Sequence, residues 1–193
     1  MYATTTSVEQ LKHLYKELEW EMSENILPFW MKQVADHENG GFFGRITNDG
    51  IAVKDAPKGA VLNARLLWTF SAAYNLTGRT EYLEFAQKAY VFFTEHFIDH
   101  QYGGVVWSVT AKGEILNSRK QIYAQAFGIY AFAEYYLATG EQDSILLASE
   151  LYGFVEKYAF DAECNGYLEA RSREWEPLDD LRLSEKDANE PKS

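Results

Sequence analysis

The chain has 193 residues, 22.2 kDa and 47% hydrophobic residues, which is enough for one sizeable core and excludes disorder for most of its length. A net charge of −11 and a pI near 4.8 exclude a partner held through its phosphate backbone, because such binding rests on Lys and Arg displacing counterions. Nothing approaches the ~20 uninterrupted apolar residues that a membrane span needs. The N-terminus also lacks a basic run followed by an apolar one, so the expected compartment is the cytoplasm, with no membrane partner. A single cysteine, Cys164, allows no intrachain disulfide and reads as inert. Aromatic residues make up 16% of the chain, which suits either a large helical core or a surface that stacks on sugar rings.

Ser7, with Gln10 three residues on, reads as the cap of a first helix running from Val8 to about Met31 through Leu11, Leu14, Tyr15, Leu18 and Met22. Pro28 is expected to kink or end it. Gly40-Gly41 and Asn48-Asp49-Gly50 then bracket an aromatic run in the manner of a short hairpin. From Lys58 to Tyr74 the sequence KGAVLNARLLWTFSAAY reads as a helix that is apolar on every side, with Arg65 the one charge between Lys58 and Arg79. Such a helix is expected to be interior. A guanidinium there either faces a polar cavity or is paired with a carboxylate of a neighbouring helix, and this stretch alone does not choose.

Gly78 stops that helix, and Thr80 opens an amphipathic, outward-facing one. The pattern then recurs. Gln101–Trp107 and Ala111–Glu114 form a second hairpin, an inner helix with no charge from Gln121 to Ala133 follows, and a charged outer helix comes after Gly140. Gly41, Gly104 and Gly166 fall at intervals of 63 and 62 residues, and Gly78 to Gly140 is again 62. Two-helix units cannot bury their apolar faces singly and must stack on neighbours. Inner helices without charge favour a closed ring of such pairs over an open solenoid. A ring would take roughly six pairs, about twice this chain. The expectation is therefore an all-α protein in which residues 1–193 form one half of a single toroidal domain, with a polar loop from about 174 to 193. An open half-ring edge would also be a route to homo-oligomers.

The segments NGGFFG, KGAVLNARLLWTFSAAY, YGGVVWSV, KQIYAQAFGIYAFAEYY and DDLRLSEKDANEPKS together resemble the N-acylglucosamine 2-epimerase family, and within it the cellobiose 2-epimerase branch, over essentially the whole chain. The resemblance implies an (α/α)6 toroid that inverts C2 of the reducing-end glucose of a β-1,4-linked disaccharide, with no metal or nucleotide cofactor. An N-acylglucosamine or mannose-type enzyme on the same toroid, or a non-catalytic module that binds sugar or partners, is the alternative.

Inversion at C2 of an aldose requires ring opening, removal of the proton α to the C1 aldehyde, an enediolate and reprotonation on the opposite face. It therefore needs two acid/base groups and an oxyanion stabiliser. By resemblance Arg65 is the oxyanion stabiliser, Tyr123 and Asp187 lie in or near the sugar site, and the proton-transferring histidines belong to segments beyond Ser193. The histidines present, His13, His37, His96 and His100, show no metal-ligand spacing and read as surface or loop residues. Trp107, after a glycine pair, is open to a stacking role, whereas Trp68 reads as core. The carboxylates Glu174, Glu176, Asp179 and Asp180 read as solvated rather than as a glycosidase pair.

Overall fold

A computed structural model describes residues 7–183. Ser7 caps the first helix, α1 (Val8–Trp20): its Oγ accepts from Gln10 N at 3.2 Å, and the Gln10 side chain accepts from Ser7 N at 2.8 Å. The helical path does not end at Pro28. It continues through a wider π-type turn over Glu21–Ile26, a short α2 (Leu27–Phe29) and a second wide turn over Trp30–Val34. Proline offers no N–H to the ladder, and widening the turns on either side lets the helix pass it without a break. α1 buries none of its residues, and Leu11, Leu14, Tyr15 and Leu18 are 54, 48, 62 and 60% exposed.

Two helical pairs follow: α3 (Ala60–Thr77) with α4 (Thr80–His96), and α5 (Ile122–Thr139) with α6 (Gln142–Tyr158). α3 and α5 pack on each other as the inner layer, and each is backed by its own partner. Left-handed glycines, Gly78 at φ 68° and Gly140 at φ 73°, end the two inner helices as the sequence predicts. The outer helices are amphipathic: α4 buries Tyr82, Ala86, Ala89 and Phe93 at helical spacing, leaving its glutamates outside.

The connections are short antiparallel ladders. β1 (Lys58–Gly59), β2 (Ser108–Val109) and β3 (Ile115–Asn117) form one sheet, β4 (Lys120–Gln121) pairs with β7 (Ala170–Arg171), and β5 (Phe160–Asp161) pairs with β6 (Gly166–Tyr167). The repeat seen in the sequence holds at this level. Ala35 faces Phe42, Ile98 faces Val105 and Phe160 faces Tyr167 at equivalent places in three successive units. The backbone entering each inner helix pairs with the next unit's hairpin, with Ala60 N donating to Trp107 O and Ile122 N to Glu169 O.

In each unit an aspartate organises the turn. Asp36 Oδ1 accepts from the amides of Glu38 and Asn39, Asp99 Oδ1 from those of Gln101 and Tyr102, and Asp161 Oδ1 from those of Glu163 and Cys164. In the first two units the other carboxylate oxygen meets a fully buried lysine just ahead of the inner helix: Lys58 Nζ to Asp36 Oδ2 and Lys120 Nζ to Asp99 Oδ2, both 2.9 Å. Arg173 also grips Asp99, with Nε to Oδ2 at 2.8 Å and Nη2 to Oδ1 at 3.2 Å. Burial pushes the Asp99 carboxyl up, but the bonds from Arg173 and Lys120 outweigh it and hold the group below the ordinary carboxylate range. These buried pairs pin the hairpins to the entrances of α3 and α5.

Candidate active site

The unpartnered side of the inner layer carries the site. Residues three and four apart on a helix share a face, so Arg65, Trp68 and Thr69 of α3 look the same way, as do Tyr123, Ala126, Phe127 and Tyr130 of α5. These seven residues line one hollow of about 590 Å³. Of the two alternatives for Arg65, the structure has the one that faces a cavity: the residue is exposed on this inner face and lines the hollow. α3 is apolar all round because one side meets α4, another meets α5 and the remaining side walls the cavity.

Among the described residues Arg65 has neither a carboxylate partner nor a hydrogen bond, so the ion-pair alternative is not realised. Its guanidinium lies 5.9 Å from the centroid of the Phe127 ring. Phe127 in turn meets Tyr123 edge-on at 4.9 Å and Tyr130 at 6.2 Å, and Tyr130 is stacked on Trp68 at 4.8 Å with 15° between planes. Among the described residues Arg65 is the one charged residue lining the hollow. Burial and the neighbouring Glu134 push the Tyr130 phenol up, with Arg65 pulling the other way.

Tyr123 stands in the first turn of α5, 49% exposed. Arg119 donates to the Asp180 carbonyl and Gln121 Nε2 to the Arg182 carbonyl at 3.0 Å, which brings the polar tail against the start of the same helix. Asp187 lies outside the described residues. Trp107 does not line the hollow. It packs on the core, and its carbonyl accepts from Ala60 N at the start of α3.

Trp68, read from sequence as core, both touches the core and lines the cavity. Phe127 and Tyr130 are lining residues that the sequence reading passed over. The signal was available in the 123, 127, 130 spacing along a helix that carries no charge before Glu134. None of the four histidines lines this hollow, and no cluster of metal-binding side chains occurs among the described residues. No described helix is long and apolar enough to cross a membrane. A second hollow, about 570 Å³, lies on the outer side between the Asp36 turn and α4, away from Arg65.

Comparison with known proteins places these features. The chain is 49% identical to a cellobiose 2-epimerase from Bacteroides fragilis over 93% of its own length and 46% of that protein's. It is 39% identical to another from Ruminococcus albus over 89% of the chain and 43% of the relative. Among solved structures, the cellobiose 2-epimerase of Spirochaeta thermophila superposes with a TM-score of 0.89 at 38% identity, covering 98% of this chain and 47% of that one. The enzyme from Bacillus thermoamylovorans gives 0.87 at 43% identity, covering 90% and 45%. The chain thus spans about half the length of the relatives it matches, and its helical pairs are a partial (α/α)6 toroid, as the sequence predicts. The signature of the N-acylglucosamine 2-epimerase (GlcNAc 2-epimerase) family covers residues 41–186, and the chain belongs to that family.

Proposed function

We propose that this chain forms the oxyanion-stabilising wall of a sugar 2-epimerase acting on the reducing-end glucose of a β-1,4-linked disaccharide such as cellobiose or lactose. The observation that carries this reading is Arg65, a permanent cation with no carboxylate partner among the described residues, set in an aromatic-walled hollow. Once the sugar ring opens and the C2 proton leaves, negative charge spreads over the oxygens at C1 and C2. A guanidinium not already neutralised by a carboxylate is suited to receive it. The charge it offers is worth more as the sugar excludes water from the hollow.

Tyr123, in the first turn of α5, is assigned a hydrogen bond to a sugar hydroxyl, and Asp187 a place beside the sugar from the tail. Trp107 is assigned no sugar contact, because its packing serves the entrance to α3. The described residues offer no histidine at the hollow for the proton transfers. The chain by itself is therefore assigned no turnover. The acidic composition and single cysteine fit a reducing cytoplasmic setting.

The test joins residues 1–193 to the remaining part of the Bacteroides fragilis relative. With cellobiose in D2O the fusion is expected to yield glucosyl-mannose carrying deuterium at C2. Arg65→Ala is expected to lower kcat about 10²- to 10³-fold, the scale of losing one oxyanion donor. A folded fusion that leaves cellobiose untouched refutes the reading. Conversion of N-acetylglucosamine or mannose in place of cellobiose moves the substrate to another branch of the family.

A further inference from the structure

We infer that Phe127 is the positioning residue for Arg65, holding the guanidinium by its ring face so that the N–H fork stays free for the substrate. The functional half of this inference rests on the reading above; the geometric half does not. Phe127 stands 62 residues after Arg65, the repeat interval, so the two occupy equivalent places on adjacent inner helices and meet at one level of the hollow. An unbranched side chain with four rotatable bonds needs something to fix it. No described carboxylate or carbonyl does so, which leaves the ring at 5.9 Å.

The ring is itself fixed. Phe127 is half-buried, packed against the core and braced edge-on between Tyr123 and Tyr130, and Tyr130 is locked onto Trp68. Glu134, the nearest carboxylate farther along that face of α5, is engaged by Asn75 Nδ2 at 2.6 Å. The chemical distinction matters. A carboxylate at 127 would orient the guanidinium equally well, but it would occupy the N–H donors and neutralise the charge that an enediolate needs. The ring quadrupole attracts the cation over its face and takes no donor.

The inference is tested by NMR on this chain, following the Arg65 side-chain Nε–Hε resonance. A place over the Phe127 face is expected to move it upfield through the ring current, and the packing contact to slow the rotation of the guanidinium. The displacement is expected to persist in Phe127→Tyr and to vanish in Phe127→Leu, which keeps apolar bulk and loses the ring. In the fusion described above, Phe127→Leu is expected to lower kcat about five-fold with KM unchanged, within the range of an exposed to partly desolvated cation–π contact, and Phe127→Tyr to restore it.

An Arg65 resonance indifferent to the Leu exchange overturns the inference, as does a Phe127→Leu fusion as fast as wild type. If the resonance behaves as expected and the wild-type fusion is inactive on every sugar, the positioning by Phe127 stands and the epimerase reading falls.

Discussion

Replacing Asp99 by Asn gives the sharpest test of how the hairpins are fastened. Asp99 is 2% exposed, and its carboxylate serves Lys120, which is fully buried, and two nitrogens of Arg173, Nε and Nη2. Asparagine keeps the shape and one acceptor but removes the charge, stranding the Lys120 ammonium in the core. Breaking a buried pair by deleting one partner costs about 3–5 kcal/mol, which at this chain length lowers Tm by about 10 °C.

Lys120→Met is the informative contrast. Asp99 then still holds Arg173 and two backbone amides, and methionine fills the lysine channel, so a loss of only about 1–2 kcal/mol is expected. Urea unfolding of the two single variants and of Asp99→Asn/Lys120→Met measures the order. The double variant should be more stable than Asp99→Asn alone, because it no longer buries an orphan cation. A double variant less stable than Asp99→Asn, or an Asp99→Asn loss under ~1 kcal/mol, would refute the account of the clamp.

Arg65→Ala should leave thermal stability within ~0.5 kcal/mol of wild type, since the side chain is exposed and makes no hydrogen bond among the described residues; a loss above ~2 kcal/mol in a melt would make it a structural residue. Gly104→Ala should be strongly destabilising, by about 2 kcal/mol or more in urea. The backbone there sits at φ 77° and a Cβ would come within 2.4 Å of the Trp175 ring. Acid should unfold the chain through its clamps. The carboxyls of Asp36 and Asp99 are both held below their ordinary value, so their stabilisation is present above the unfolded carboxylate pKa of about 4 and is lost as pH falls below it toward the folded values. A circular-dichroism titration in which stability stays flat from pH 5 to 2 would remove that contribution.

The sequence shows the 62-residue period, the glycine stops and the distinction between nearly charge-free inner helices, each with one charge, and amphipathic outer ones, because all three are local patterns. Arg65 stood out for the same reason, as one charge in an apolar run. Its exposure did not show, since an inner face open to a cavity and one closed by packing have the same composition. Lys58 and Lys120 receive no role from the sequence, although both are fully buried. Their burial depends on Asp36 and Asp99, 22 and 21 residues earlier, and no periodicity connects a turn aspartate with a lysine across a hairpin.

Position 175 shows how a repeat can persist while its residue type changes. In three successive turns the hydroxyl of Thr47, Thr110 or Ser172 accepts from the amide four residues on, at 3.1, 3.2 and 3.1 Å, and the residue before that amide is left-handed. That residue is Gly50 at φ 78°, Gly113 at φ 91° and Trp175 at φ 69°. Glycine suits the first two turns; a tryptophan in the left-handed region costs about 1–2 kcal/mol.

Packing offsets that cost. Trp175 is 4% exposed, stacks on Phe154 and Tyr158 with centroids 5.2 and 5.1 Å away, and donates from Nε1 to Tyr102 O at 3.0 Å. Burial of so large a ring is worth about 3–5 kcal/mol as read from truncation to alanine, more than the strain. At the preceding turn the space is filled from the other side: His96, one repeat before Tyr158, lies over Phe92 and against Gly113, where a Cβ would fall 2.3 Å from its ring. One turn therefore sends its ring toward the outer helix, while the other receives a ring from it. The backbone is the same in both, and the sequence hides the equivalence because the aromatic residue has changed partners across the interface.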